Sequence, residues 1–166
     1  MRRFSMGDQA MQELLTVIVT WLSINFGLPA IYEHPHVEFV SAARIAEVRH
    51  SRLKASQPDD ITGAEAERSA PPEFAHDVHA FYDDPSQTIY LPKGWSGATP
   101  AGVSVLVHEL VHHLQNVAGL KYDCSEAREK PAYGAQSRWL ELFGMELADE
   151  FEIDAMTILV RTNCMH

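Results

Sequence analysis

An α+β fold, mostly helical, with one central helix packed beside a small β-sheet, follows from three observations. Apolar residues recur at three- and four-residue spacing through residues 8–26 and again through 100–118, as they do in helices that bury one stripe. Two short β-prone runs, 78–82 and 88–91, stand just before the second of these helices. The 166 residues, with 46% hydrophobic content and no internal repeat, fit a single domain, 1–166, built on one core.

Taken in order, residues 1–7 read as a loose basic start, and Asp8 to Phe26 as a helix stopped by Gly27-Leu28-Pro29. Leu14 to Tyr32 carries no charged side chain and follows Arg2 and Arg3, so a removed signal and a membrane anchor are alternatives to a helix of the mature fold. The packed helix is favoured. Gln9, Gln12, Thr16, Thr20 and Ser23 form a polar stripe, Asp8 and Glu13 interrupt the usual basic region, and no Ala-x-Ala site follows. The compartment stays open, and membrane association is not favoured. Val37 to Val40 reads as a strand, with Ser41 capping a helix to about Leu53. Residues 54–73, rich in Ser, Pro, Asp, Glu and Gly, read as a surface loop.

Val78-His79-Ala80-Phe81-Tyr82 and Thr88-Ile89-Tyr90-Leu91, separated by Asp83-Asp84-Pro85-Ser86-Gln87, carry a hairpin signal. Next comes the best-marked helix, Pro100 to Ala118. Thr99 caps it, Pro100 fits a first position where no N–H is needed, and Gly119-Leu120 makes a left-handed stop. Val103, Val107, Leu110, Leu114 and Val117 form its core stripe, and His108, His112 and Gln115 fall on a neighbouring face. Ser125 to Leu140 supplies a further helix and Glu146 to Val160 a terminal one.

The central helix contains His108-Glu109-Leu110-Val111-His112, an HExxH pattern. Residues four apart lie one above the other, so the two imidazoles point the same way and can share one ion, for which zinc is the expected metal. Glu109 is displaced around the helix, too far to be a ligand in the same plane and close enough to act as a base on a water at the metal. With nine His in the chain a chance match has to be weighed, but a capped helix of the right length with apolar variable positions favours metal binding. His113 points away from the pair and reads as a solvated or supporting residue.

A catalytic zinc takes three protein ligands, so another must follow. The position six residues after His112 is Ala118, which leaves a carboxylate on the later helix, Glu126 or Glu129. Glu129 is preferred, because it lies one turn before Tyr133 and two before Gln136, so one helix face presents a carboxylate, a phenol and an amide. Pro131 makes this helix either start near it or kink there, and Asp123 with Glu126 suggests a capping box with an early start.

HELVHHLQ, followed by a helix reading Glu-x-x-Ala-Tyr-x-x-Gln, resembles the small zincin-like metallopeptidases of the gluzincin type, including minimal bacterial forms, over about residues 78–143. The resemblance implies zinc held by His108, His112 and Glu129, with Glu109 as the general base. It also implies a peptide or protein substrate that pairs with a strand edge beside the helix. Tyr133 is a candidate to steady the oxyanion or, equally, to hold Glu129. Two other readings stand beside the peptidase. One is a zinc-binding module without turnover; the other is a membrane-tethered interaction domain with a structural metal, closed by a fourth ligand such as His76 or His79.

Cys124 and Cys164 fit either a disulfide between the tail and the later helix or two buried thiols, and they lack the CxxC spacing of zinc ligands. A formal charge of −10 argues against a nucleic-acid surface and against anionic lipid. Glu141, Glu146, Asp149, Glu150, Glu152 and Asp154 read as a solvated acidic face, with Asp154 a lesser candidate to orient a ligand His. Oligomeric state and substrate sequence are not legible.

Overall fold

The computed structural model describes residues 6–55 and 80–164. Its elements run α1 (Met6–Phe26), β1 (His36–Val40), α2 (Ala42–Ala55), β2 (Phe81–Asp83), β3 (Thr88–Pro92), α3 (Pro100–Val117), α4 (Ser125–Glu141), α5 (Leu147–Phe151) and α6 (Ala155–Thr162). The fold is α+β and mostly helical, with one small sheet.

α1 begins at Met6, two residues earlier than expected, so residues 6 and 7 of the expected loose start are helical and its first five lie outside the described residues. It packs into the core through Leu15, Ile18, Val19 and Leu22, all fully buried, while Gln9, Gln12, Thr16 and Thr20 face solvent. Among the described residues, no helix is long and apolar enough to cross a membrane. The Ser41 hydroxyl accepts from Arg44 N and caps α2, which runs to Ala55. Residues 54 and 55 of the expected loop are therefore helical; the rest of it, like Val78, His79 and His76, lies outside the described residues.

The sheet order is β1-β3-β2, with β1 parallel and β2 antiparallel to β3. Side chains alternate across a strand, and the two faces have different partners. Tyr82 sits opposite Ile89, and with Leu91 they join the apolar cluster that contains α3. Asp83, the next residue, turns the other way and accepts hydrogen bonds from the Arg52 guanidinium of α2. The expected turn 83–87 is thus one residue shorter: Asp83 completes β2, and Gln87 takes a left-handed conformation at φ 49°.

α3 lies at the centre. Every residue from Val103 to Gln115 is buried, because α1, β2 and α4 cover its sides. The ends form as the sequence predicts. Gly102 N donates to Thr99 Oγ1 at 3.0 Å. Gly119 turns at φ 63°, and Leu120 N returns to Gln115 O at 3.0 Å, closing the last carbonyls of the helix.

The expected terminal helix is two helices. Glu152 adopts a left-handed φ of 57°, which ends α5, and Asp154 then restarts the chain by accepting from Thr157 N at 2.7 Å. That cap occupies the Asp154 carboxylate, and among the described residues it makes no hydrogen bond to His108 or His112. Glu141, Glu146, Asp149, Glu150 and Glu152 are exposed, as a solvated acidic surface requires. Cys124 and Cys164 are bridged, with Cα atoms 5.8 Å apart, so the end of α6 is tied to the start of α4.

Two measurements follow. Alkylation of protein from its native source without reductant should find no reactive thiol, and reduction should cost about 3–4 kcal/mol of stability for a loop of 40 residues; two alkylatable thiols in the native protein contradict the bridge. Burial alone raises the pKa of Asp83, but hydrogen bonds from Arg52 and Ser86 outweigh it and leave the pKa lowered. A depressed folded-state pKa gives stability that is present above the unfolded value of about 3.9 and lost as pH falls through the lower folded value. Asp83→Asn should therefore flatten acid unfolding in that window, as read by denaturant titration across pH.

Candidate metal centre

α3 and α4 pack along one another, and the facing residues build the site. From α3 come His108 and His112, one turn apart, with ring centroids 5.1 Å apart. From α4 comes Glu129, whose Oε2 lies 3.0 Å from His108 Nε2 and whose Oε1 lies 3.2 Å from His112 Nε2. One ligand atom from each of the three falls within 4.8 Å of the others, so together they could hold a metal ion. Both histidines are buried and a third of the Glu129 side chain is exposed, which leaves the cluster open on the carboxylate side.

Each imidazole is also held from behind. His108 Nδ1 lies 3.1 Å from Gln136 Oε1, and His112 Nδ1 lies 3.0 Å from Gln115 Oε1. The ring of Tyr133 stands edge-on to His108 at a centroid distance of 4.7 Å, and its hydroxyl accepts from Arg161 Nη1 at 3.1 Å. Glu109 is 8% exposed and lies about 60° round the helix from His112. Among the described residues no hydrogen bond engages its carboxylate.

The charges reinforce one another. Burial by itself raises the pKa of Glu129, but hydrogen bonds from His108 and His112 and the charge they carry overcome it, so the carboxyl is held well below its ordinary range. His112 answers in the opposite sense: burial lowers its pKa, while Glu129, then Glu109, raise it further. Glu129 thus stands where a cation is favoured. A divalent ion meets the same demand, since two neutral imidazole nitrogens and one carboxylate form an ordinary ligand set for it.

Of the two candidate carboxylates, α4 chooses Glu129. The helix starts at Ser125, early enough that Glu129 has made a full turn and faces α3, and it continues through Pro131. Cys124, not Asp123, is the residue before the first turn, and it makes no side-chain cap; the Asp123 capping box does not form. Glu126 stays at the helix start and accepts from Ser125 Oγ at 3.1 Å. His113 is no ligand, as its direction predicts, but it is not solvated. It is 1% exposed, with Nδ1 3.1 Å from the Tyr82 hydroxyl and Nε2 3.0 Å from Glu33 O, and so it ties α3 to the hairpin and to the segment after α1.

Sequence reasoning missed three contributors. Arg161 lies on α6, far from any motif, and only the fold carries it to Tyr133. Arg128 lies beside the ligand helix's best candidate, yet its role is structural: it pairs with Asp84 at 2.7 Å and brackets Gln115. Ser104 was the legible one, a hydroxyl within an otherwise apolar helical turn, and it contacts Gln136 at 3.3 Å.

The chain matches the family described as a domain of unknown function (DUF6647) across residues 52–166, and it belongs to that family. The match contains both site helices. No curated protein and no solved structure matches the chain.

Titration of a divalent cation into single variants tests the ligand assignment. Glu129→Ala should weaken binding about 100-fold or more, beyond the 10- to 100-fold span typical of a residue that only supports a ligand. Glu126→Ala should leave affinity unchanged. The reverse order would place the third ligand one turn earlier.

Proposed function

We propose that the chain is a zinc-dependent metallopeptidase, hydrolysing peptide bonds at the centre formed by His108, His112 and Glu129. One observation carries this reading: three ligand atoms converge from two helices, and a buried carboxylate with no hydrogen-bond partner among the described residues, Glu109, stands on the same helix between the two ligands in sequence. Three protein ligands of nitrogen and oxygen type suit zinc in an open, catalytic site, whereas a structural site is closed by a fourth. Among the described residues there is no fourth His, Cys, Asp or Glu in the group. The resemblance of HELVHHLQ and the Glu129, Tyr133, Gln136 spacing to gluzincin-type peptidases points the same way.

Zinc, when bound, supplies a Lewis acid that polarises a carbonyl and makes water more acidic. The protein does the rest. Glu109, unencumbered, accepts a proton from the attacking water at its carboxylate and returns it to the leaving amine. In this reading Tyr133 donates. Its oxygen already accepts from Arg161, so its own O–H proton is left for another acceptor, and burial, only partly offset by Arg161, raises its pKa and keeps the phenol protonated at neutral pH. A phenol in that state stabilises negative charge growing on a carbonyl oxygen.

Glu109→Gln keeps the shape of the side chain and cannot accept the proton. It should retain zinc at the affinity of the parent while losing about 100-fold or more in kcat on a peptide library or a denatured protein. Equal turnover by parent and variant removes Glu109 from the role. A parent that binds zinc and cleaves no peptide supports a metal-binding module without turnover.

A further inference from the structure

We infer that Ser104, Gln115 and Gln136 are positioning residues that fix the tautomer of both ligand histidines, so that the metal is met by Nε2 from each. This rests on the metal centre proposed above and goes beyond it, because it assigns which nitrogen binds and which residues decide that.

Two backbone carbonyls, whose polarity cannot be reversed, anchor the relays. Gln115 Nε2 donates to Arg128 O at 3.0 Å, and Arg128 Nε approaches Gln115 Oε1 at 3.4 Å. A carbonyl only accepts and a guanidinium only donates, so the amide has one orientation, with Oε1 towards His112. Gln115 Oε1, 3.0 Å from His112 Nδ1, therefore needs a proton on that nitrogen. The second relay has one more link. Ser104 Oγ donates to Ala101 O at 2.7 Å, which spends its only proton; it then accepts from Gln136 Nε2 at 3.3 Å, and Gln136 turns Oε1 to His108 Nδ1 at 3.1 Å. Both Nδ1 atoms are thus N–H donors, and the lone pair of each neutral ring is left on Nε2, the atom that faces Glu129.

The burial of these groups gives the relays their strength. Ser104 is fully buried, Gln115 is 1% exposed and Gln136 is 4% exposed, so no water competes for their atoms and a reversed amide would strand a buried donor against a donor. The relays also account for why a hydroxyl and two amides stand in the apolar contact between α3 and α4. Both partners are neutral amides. Of the three converging residues only Glu129 thus brings a formal negative charge, and among the described residues no carboxylate hydrogen-bonds to either Nδ1.

The test is long-range proton–nitrogen NMR of the full chain loaded with zinc, repeated with cadmium-113, whose coupling identifies the bonded nitrogen. The expected result is metal at Nε2 and a proton at Nδ1 in both His108 and His112; metal at Nδ1 of either, or an unprotonated Nδ1, overturns the inference. Competition titration with zinc then separates relay from packing. Gln115→Leu and Gln136→Leu should each weaken zinc 10- to 100-fold, about the span expected when a ligand loses its orienting partner. Gln136→Glu, which keeps the acceptor, should bind zinc at least as tightly as the parent. Leucine variants that match the parent, or a Glu variant as weak as the Leu one, overturn the relays. If the parent itself binds neither metal, the centre is not a metal site, and the inference falls with that reading and not on its own terms.

Discussion

The fold is governed by one demand: α3 is buried on every side, yet six of its thirteen buried residues, Ser104, His108, Glu109, His112, His113 and Gln115, are polar or charged. A buried polar group without a partner costs about 1–3 kcal/mol, so a helix like this is tolerable only if its neighbours arrive with matching groups. They do. β2 brings Tyr82 to His113, and the segment after α1 brings Glu33 O to the same ring. α4 brings Glu129 to His108 and His112, Gln136 to His108, and Arg128 O to Gln115. The polar inventory of one helix is thus matched by the elements placed around it, and Glu109 is the exception, with no hydrogen-bond partner among the described residues.

The hairpin and α4 are in turn held to each other. Asp83 and Asp84 are adjacent and point to different partners, the first to Arg52 on α2 and the second to Arg128 on α4. Two consecutive carboxylates thus connect α2 on one face of the sheet with α4 on the other side of the hairpin. Each pair is partly shielded from water, where an ion pair is worth more than the fraction of a kcal/mol common at open surfaces. Asn116 completes the junction by donating to the Tyr82 hydroxyl and to Asp84 O.

Much of this was legible because local chemistry and tertiary position agree. Thr99, Pro100 and Gly119 fix the ends of α3 by rules that act over a few residues, and the four-residue spacing of His108 and His112 carries directly into space. Glu129 was legible through its spacing to Tyr133 and Gln136, which survives Pro131 because the helix runs through that residue. What escaped depends on contacts distant in sequence. His113 read as either solvated or supporting because one helix shows only its own stripe, and nothing local announces that the Glu33 carbonyl will cover it from 80 residues away. The break at Glu152 escaped for a different reason: a left-handed residue that is not glycine is set by the restart at Asp154, not by its own preference.

The disulfide has a topological consequence for the centre. Residues 124–164 form a covalent ring, and inside it lie Glu129, Tyr133, Gln136 and Arg161, while His108, His112, Glu109 and Gln115 lie outside on the uninterrupted stretch that precedes it. The site is therefore assembled from two covalent bodies, an open strand of chain and a closed one. A single cut in the exposed connection 141–144 linearises the ring without releasing anything, so both halves of the ring stay attached to the chain that carries the histidines. After such a cut the disulfide still holds Glu129 to the chain, whereas His108 and His112 lie outside the ring and gain nothing from it.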